Sequence, residues 1–253
     1  MSGRIASIYR HPVKGFTPER LATVGLSPDL PFPCDRIYAV EDGPSGFDPA
    51  HPAHISKTRF TVLARTAQVG AVRTAYDDAS GTFSAAAPGQ PEFRHSLTTE
   101  AGREAFAAWL AAFLGPAADG PLRVIPAPGG HRFLDNPNGQ VSVINLASVR
   151  DLAARMGHAL DPLRFRANLY VEGWPAWAEN EWVGRTLMLG EARAKVFKPI
   201  VRCAATGVDP ATAVRDLDVV KGLFDNLGHA WCGIYVQITG EGAVTQGDPA
   251  EVE

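Results

Sequence analysis

The chain's 253 residues, 45% of them apolar, suffice for one large or two ordinary domains, each with its own core. A formal net charge of −3 gives no bulk reason to bind nucleic acid or an anionic membrane, so any anion site has to be local. Three scattered cysteines, Cys34, Cys203 and Cys232, cannot build a disulfide framework, and 25 glycines with 20 prolines favour a strand-rich fold in a reducing, cytoplasmic setting.

The opening MSGRIASIYRHPVKG lacks the apolar core of a secretory signal; Ile5, Ile8 and Tyr9 among polar neighbours read as a strand feeding a loop that carries Lys14. LATVGLSPDLPFPCDRIYAVED gives two more short strands around a proline-rich turn, with Arg36 where the second begins. FTVLARTAQVGAVRTAYDDASGTFSAAAPG continues in the same style, with Asp-Asp-Ala-Ser-Gly turning between strands.

A helix is expected after Thr98 and Thr99, because Phe106, Trp109, Leu110, Phe113 and Leu114 recur at three and four and Gly115-Pro116 stops it. Its apolar run, FAAWLAAFLG, is too short to span a bilayer, and the protein is expected to be soluble. Residues 115–130, small and rich in proline and glycine, mark a linker or domain seam. A second helix starts at the Asn145 cap, carries Leu146, Val149, Leu152 and Met156 on one face, and ends at Gly157. From 163 onward strands return, and ITGEGAVTQ reads as the turn of a C-terminal hairpin.

Two groups of residues suggest chemistry. Cys203 in VRCAATGVDP follows Arg202 and precedes residues too small to cover it, in what reads as a surface loop. A buried structural cysteine is the competing assignment; an accessible thiolate there is either a nucleophile or a soft-metal ligand. His229 is a candidate base, and HPAH at 51–54 has no second pair to complete a zinc site. The second group is cationic: Lys14, Arg36, Arg166 and Arg202 each fall at a strand end or in an adjoining loop, where they are either solvated charges or structural ion pairs, or parts of one anion pocket beside Asn168.

In this order, YRHPVKG, CDRIYAV, RFRANLYVEG, WVGRTLMLGEARAKV, VRCAATGVDPATAVRD and GIYVQITGEGAVTQGD resemble the MOSC family, named for the C-terminal domain of molybdenum cofactor sulfurases, together with its N-terminal β-barrel extension. The resemblance implies a fold that is mainly β with a few helices: a smaller N-terminal β-barrel-like domain over 1–115 and a MOSC β-barrel over 116–253. It implies that Cys203 binds molybdenum and is catalytic with Asp209, and that Lys14, Gly15, Arg36, Arg166, Asn168, Arg202, Thr206 and Tyr235 hold the pterin and phosphate of a molybdenum cofactor. Two positions depart from the family habit: Gly15 replaces a frequent serine, and Val201 a frequent polar residue.

The activity so implied is that of the amidoxime-reducing group, a molybdenum-dependent oxidoreductase removing oxygen from N-hydroxylated small molecules. Three cysteines cannot ligate a ferredoxin-type cluster, so electrons are expected from a separate iron–sulfur or flavin reductase. The alternatives are a carrier of the cofactor, or of persulfide sulfur on Cys203, without turnover, and a metal-free thiol enzyme. The walls of the substrate cavity are expected from segments 43–60, with Lys57 or Arg59 at its entrance, and 129–140.

Overall fold

A computed structural model describes residues 1–139 and 141–253. In chain order these form β1 (Ser2–Arg10), β2 (Glu19–Leu21), β3 (Thr23–Leu26), β4 (Tyr38–Asp42), β5 (Arg73–Asp77), β6 (Thr82–Ala86), β7 (Phe93–Ser96), α1 (Glu100–Leu114), β8 (Leu122–Pro126), β9 (Val141–Asn145) and α2 (Leu146–Met156). There follow β10 (Leu169–Glu172), β11 (Thr186–Leu189), β12 (Ala192–Val201), α3 (Val219–Leu227), β13 (Trp231–Gly240), β14 (Gly242–Thr245) and β15 (Pro249–Val252). The fold is mainly β, as the residue pattern predicts.

Seven strands close a barrel in the order β10-β9-β13-β12-β11-β15-β1, with β1 pairing back onto β10 and β2 continuing beyond β1. Closure leaves few unpaired edges, and alternate residues of each strand point inward. Ile5 and Ile8 of β1, Val143 of β9, Leu169 and Val171 of β10, and Ile234 and Val236 of β13 meet there as one apolar core.

A second body stands on β5-β6-β7 and the β4-β8 ribbon. Helix α1 starts at Thr99, whose Oγ1 accepts from Gly102 N, and lays Phe106 against Phe16, Phe83 and Phe93. Phe106 is fully buried, so truncation to alanine would cost about 3–5 kcal/mol.

Strands cross the 115/116 division in both directions: β1 belongs to the C-terminal barrel, while β8 pairs antiparallel with β4. The expected seam at 115–130 contains that strand. The expected C-terminal hairpin does not form. β13 pairs with β12 and β9, whereas β14 pairs with β3, so the Gly-Glu-Gly segment passes the chain to a different sheet. α3, capped by Asp218, is an element that the sequence reading did not foresee. Around EGWPAWAENEW, Trp174 and Trp182 are buried edge to face, which makes that stretch a packed loop.

Candidate functional site

Strand β12 ends at Val201, and the next residues are pinned within two steps. Arg202 N donates to Ala230 O at 2.8 Å, and Cys203, in extended backbone, begins a single 3₁₀ turn over Ala204–Gly207. Gly207 is a packing requirement there: a Cβ on it would come within 2.5 Å of Leu217 O. Thr206 Oγ1 donates to Cys203 O at 2.9 Å and closes the turn. The Cys203 thiol is thereby left half-buried on the wall of a cavity of about 250 Å³.

Nine of the ten residues selected from the sequence line that one cavity: Lys14, Gly15, Arg36, Arg166, Asn168, Arg202, Cys203, Thr206 and Tyr235. They arrive from the loop after β1, the turn before β4, the approach to β10, the end of β12, and β13. Barrel closure is what brings these separated segments together, since β1 hydrogen-bonds to β10 and β13 to both β12 and β9.

The tenth, Asp209, does not line the cavity. Its Oδ1 accepts from Ala211 N and Thr212 N at 2.8 and 2.9 Å, and its Oδ2 from Arg164 at 2.8 Å. Both oxygens are thus engaged in forming the Asp-Pro turn and anchoring it, and neither is placed to act on a ligand.

The basic residues differ in how free they are. Arg36 has left-handed backbone (φ +50°); its guanidinium pairs with the adjacent Asp35, and its Nη2 donates to Arg166 O at 3.0 Å. Burial alone would raise the Asp35 pKa, but Arg36 and the His11 side chain, 3.4 Å away, outweigh it and hold the carboxyl below the usual range; the His11 backbone N–H also donates to it at 2.7 Å. Arg202 is stapled to Cys232 O and Phe165 O at 2.7 and 2.8 Å, and its guanidinium lies 5.3 Å from the Phe165 ring centroid. Its Nη2 is buried with no hydrogen-bond partner among the described residues.

Lys14 is buried and donates from Nζ to Phe133 O at 2.8 Å and to Asp135. Asp135 also faces Lys57 Nζ at 3.4 Å. Against the upward push of burial, these two cations keep the Asp135 carboxyl well below the ordinary range. Burial would lower the Lys57 pKa, but Asp135 and, after it, Cys203 turn the shift upward. Of the two residues expected at the entrance, Lys57 is on the cavity wall.

Arg166 is the exposed nerve of this arrangement. It too has left-handed backbone (φ +52°), and its guanidinium has no hydrogen-bond acceptor among the described residues. Burial, with Arg36 alongside, pushes its pKa down to about 10. Strained backbone at a non-glycine residue, carrying an unpartnered cation into a cavity, is the mark of a ligand site.

Gly15 and Asn168 are on the wall for structural reasons. Gly15 has φ +92°, and a Cβ there would lie 2.6 Å from Thr61 O, so any side chain at this position is strained. Asn168 Oδ1 accepts from Ser142 N and Oγ at 3.1 and 2.8 Å, and its Nδ2 donates to Tyr9 O at 3.3 Å, which ties β1 to β9 beside the site. The Tyr235 ring packs on Gly139, and burial raises its phenol pKa.

Sequence reasoning missed Asp35 and Asp135, which pair with Arg36 and Lys14, and Arg164, which anchors Asp209 and Asp216 behind the Cys203 turn. Asp35 stands next to Arg36 in the chain and offered a signal; Asp135 offered none beyond its place in the 129–140 segment, whose last residue lies outside the described residues. His229 stacks on Trp231 at 4.8 Å and does not line the cavity, and His51 pairs with Asp48. Among the described residues, no group of three or more His, Cys, Asp or Glu side chains is arranged to chelate a metal. A metal at Cys203 therefore has to bring most of its own ligands.

Two family models account for nearly the whole chain: the MOSC N-terminal beta barrel domain over residues 2–119 and the MOSC domain over 130–251. The chain belongs to the MOSC family. Among its relatives, mitochondrial amidoxime-reducing component 1 of Mus musculus is 31% identical over 74 residues, 29% of this chain and 21% of that protein. Molybdenum cofactor sulfurase of Anopheles gambiae is 30% identical over 120 residues, 43% of this chain and 15% of that protein. The match thus spans about a fifth or less of each of these two relatives. The solved YUAD protein of Bacillus subtilis superposes with a TM-score of 0.48 at 15% identity, covering 100% of this chain and 96% of its own. A molybdenum-cofactor-related role goes with this membership. No helix among the described residues is long and apolar enough to cross a membrane.

Proposed function

We propose that this MOSC protein binds a molybdenum cofactor in the Cys203 cavity and uses it to reduce N-hydroxylated small molecules. The observation that carries the reading is the convergence of one accessible thiol and an unpartnered guanidinium, Arg166, on the same cavity. The donor set fits the group. A single thiolate is a soft donor suited to a metal already chelated by an organic dithiolene, and Arg166 and the stapled Arg202 offer N–H groups to a phosphate.

Cys203 would be the protein's ligand, and Arg166, Arg202, Arg36 and Lys14 would surround the pterin and its phosphate. When bound, the cofactor supplies the two electrons that break the N–O bond, giving amine and water with uptake of two protons. The chain's own part is positional. Asp35 fixes the Arg36 fork, Asp135 fixes Lys14, and Lys57 places an ammonium group on the same cavity wall as Cys203. The reading assigns electron supply to a separate iron–sulfur or flavin protein, because three cysteines fall short of the four ligands of a ferredoxin cluster.

The test is metal and pterin content of the wild type and of Cys203→Ala, both made in a cofactor-competent host, with reduction of a small amidoxime by reduced viologen. The expected result is molybdenum and pterin in the wild type, turnover, and a folded alanine variant that loses metal or changes its absorption spectrum. Wild-type protein free of molybdenum and pterin would overturn the reading. Stable loading without reduction of any N-hydroxylated compound would point to a cofactor carrier.

A further inference from the structure

The charges around the cavity do not balance. Seven basic side chains line it, and the carboxylates paired with them are four, Asp35, Asp135, Asp209 and Asp216. A phosphate monoester carries about −1.5 to −2 near pH 7. Set against a surplus of three, it leaves about one positive charge for something else.

Geometry shows where that charge lies. Asp135 is closer to Lys14, at 2.5 Å, than to Lys57, at 3.4 Å. Lys14 is also the drier partner, with 5% of its side chain exposed against 31% for Lys57. Attraction strengthens as separation and local dielectric fall, so the Asp135 charge is taken up chiefly by Lys14. Lys57 keeps most of its own charge, reaches solvent, and lines the same cavity as Cys203. Lys198 of β12 adds a second cation on the same wall, with no carboxylate partner among the described residues. A molecule entering to meet the thiol meets these ammonium groups with it.

We infer that Lys57, assisted by Lys198, selects substrates by charge: small N-hydroxylated molecules that carry a carboxylate or comparable anion near the N–O bond. The N-hydroxyl half of this statement rests on the reductase reading above; the anionic half rests on the cavity's charges alone. Lysine suits the task because a point charge on a flexible stem accepts an anion without demanding fork geometry. The partly exposed position gives discrimination of moderate size, since solvent and salt screen the pair.

N-hydroxyglycine and its neutral amide share the reacting group and differ in the charge. Calorimetric titration of each into protein purified from a cofactor-competent host, with no electron donor present, measures the preference directly. The acid is expected to bind about fivefold or more tightly than the amide, with the ratio shrinking as salt rises. Lys57→Met should bring the ratio to about one, and Lys57→Arg should retain most of it. Equal binding to the wild type, no binding of the acid, or a ratio that survives Lys57→Met would overturn the inference. Selective binding without turnover on adding reduced viologen would leave the inference standing and sink the reductase reading; turnover with equal affinities would do the reverse.

Discussion

Arg164 holds Asp216 through two parallel bonds of 2.8 Å, Nη1 to Oδ1 and Nη2 to Oδ2, and the same Nη2 also reaches Asp209. The fork closes the segment 203–216 over the back of the Cys203 turn, where Asp216 N donates to Gly207 O at 3.1 Å. The guanidinium is almost fully buried, whereas the two carboxylates are partly wet. Replacing it by methionine would leave two neighbouring acids unpaired. Removing one partner of a buried pair costs about 3–5 kcal/mol, and partial exposure of the acids puts Arg164→Met near the lower end. Hydrogen exchange should locate the damage: the amides of Asp209 and Asp216 should exchange about tenfold faster or more, with β12 and β13 little changed. Uniform acceleration across the barrel would show that Arg164 is not a local clamp.

His11 is fully buried among Asp35, Arg36 and Arg166, and burial, reinforced by the two arginines, pushes its pKa down to about 3. In the unfolded chain it takes a proton near pH 6.5. Below that pH the unfolded state binds one proton more than the folded state, so stability falls as pH falls from about 6.5 to about 3. One proton corresponds to about 1.4 kcal/mol per pH unit, or about 2 kcal/mol between pH 6.5 and 5. Asp35, held low by Arg36, adds a loss of the same sign only below about pH 4, where the unfolded carboxyl protonates. Urea denaturation of wild type and His11→Gln at pH 7 and 5 isolates the histidine. The variant should be less stable at pH 7 and show a pH dependence smaller by about that 2 kcal/mol; identical pH dependence would show that His11 titrates normally.

Much of this was legible from local pattern, and what was not has a common cause. Alternation revealed β1, β4, β12 and β13, and small residues after Cys203 revealed an uncovered thiol, because both are properties of neighbouring residues. Pairing is not. The Gly-Glu-Gly segment has the composition of a hairpin turn, yet β14 finds its partner in β3, some two hundred residues earlier in the chain. α3 was hidden by its shortness, although Val219, Leu223 and Leu227 recur at helical spacing beyond the Asp218 cap. At the site, each cation was visible as a residue type, while Asp135, which decides how much charge Lys14 and Lys57 retain, was visible only once the loop before β9 had folded against them.

The caps of α1 and α2 differ in what they hold. Thr99 is exposed and satisfies one amide, Gly102 N, at 3.2 Å. Asn145 caps Ala147 N at 3.0 Å and also donates to Pro175 O and to the buried Glu179 carboxylate, both at 2.8 Å. Ser148 Oγ supplies Glu179 with its other side-chain donor, at 2.7 Å. Thr99→Ala should therefore cost about 1 kcal/mol, the ordinary loss of a cap. Asn145→Ala should cost about 2–4 kcal/mol, because it also leaves a buried acceptor short of a donor. Denaturant titration of both variants tests this, and equal losses would mean that the Glu179 network adds nothing to the cap.

Arg166 has the opposite relation to stability. A guanidinium held without an acceptor beside Arg36 is a cost of folding, and its pKa, pushed down to about 10, gives the direction. Solvent in the cavity lessens the penalty, to about 1–3 kcal/mol. Arg166→Met should therefore make the cofactor-free protein more stable by about that amount, an unusual outcome for a change at a half-buried site. The same variant should lose what the charge is there to do. Inorganic phosphate should raise the melting temperature of cofactor-free wild type, because it binds only the folded cavity, and should raise that of the variant much less. Arg202→Met is the contrast: two carbonyls lose their donor and the Phe165 ring its cation, so stability should fall. A destabilised Arg166→Met protein that still responds fully to phosphate would show that the guanidinium serves the fold and not an anion.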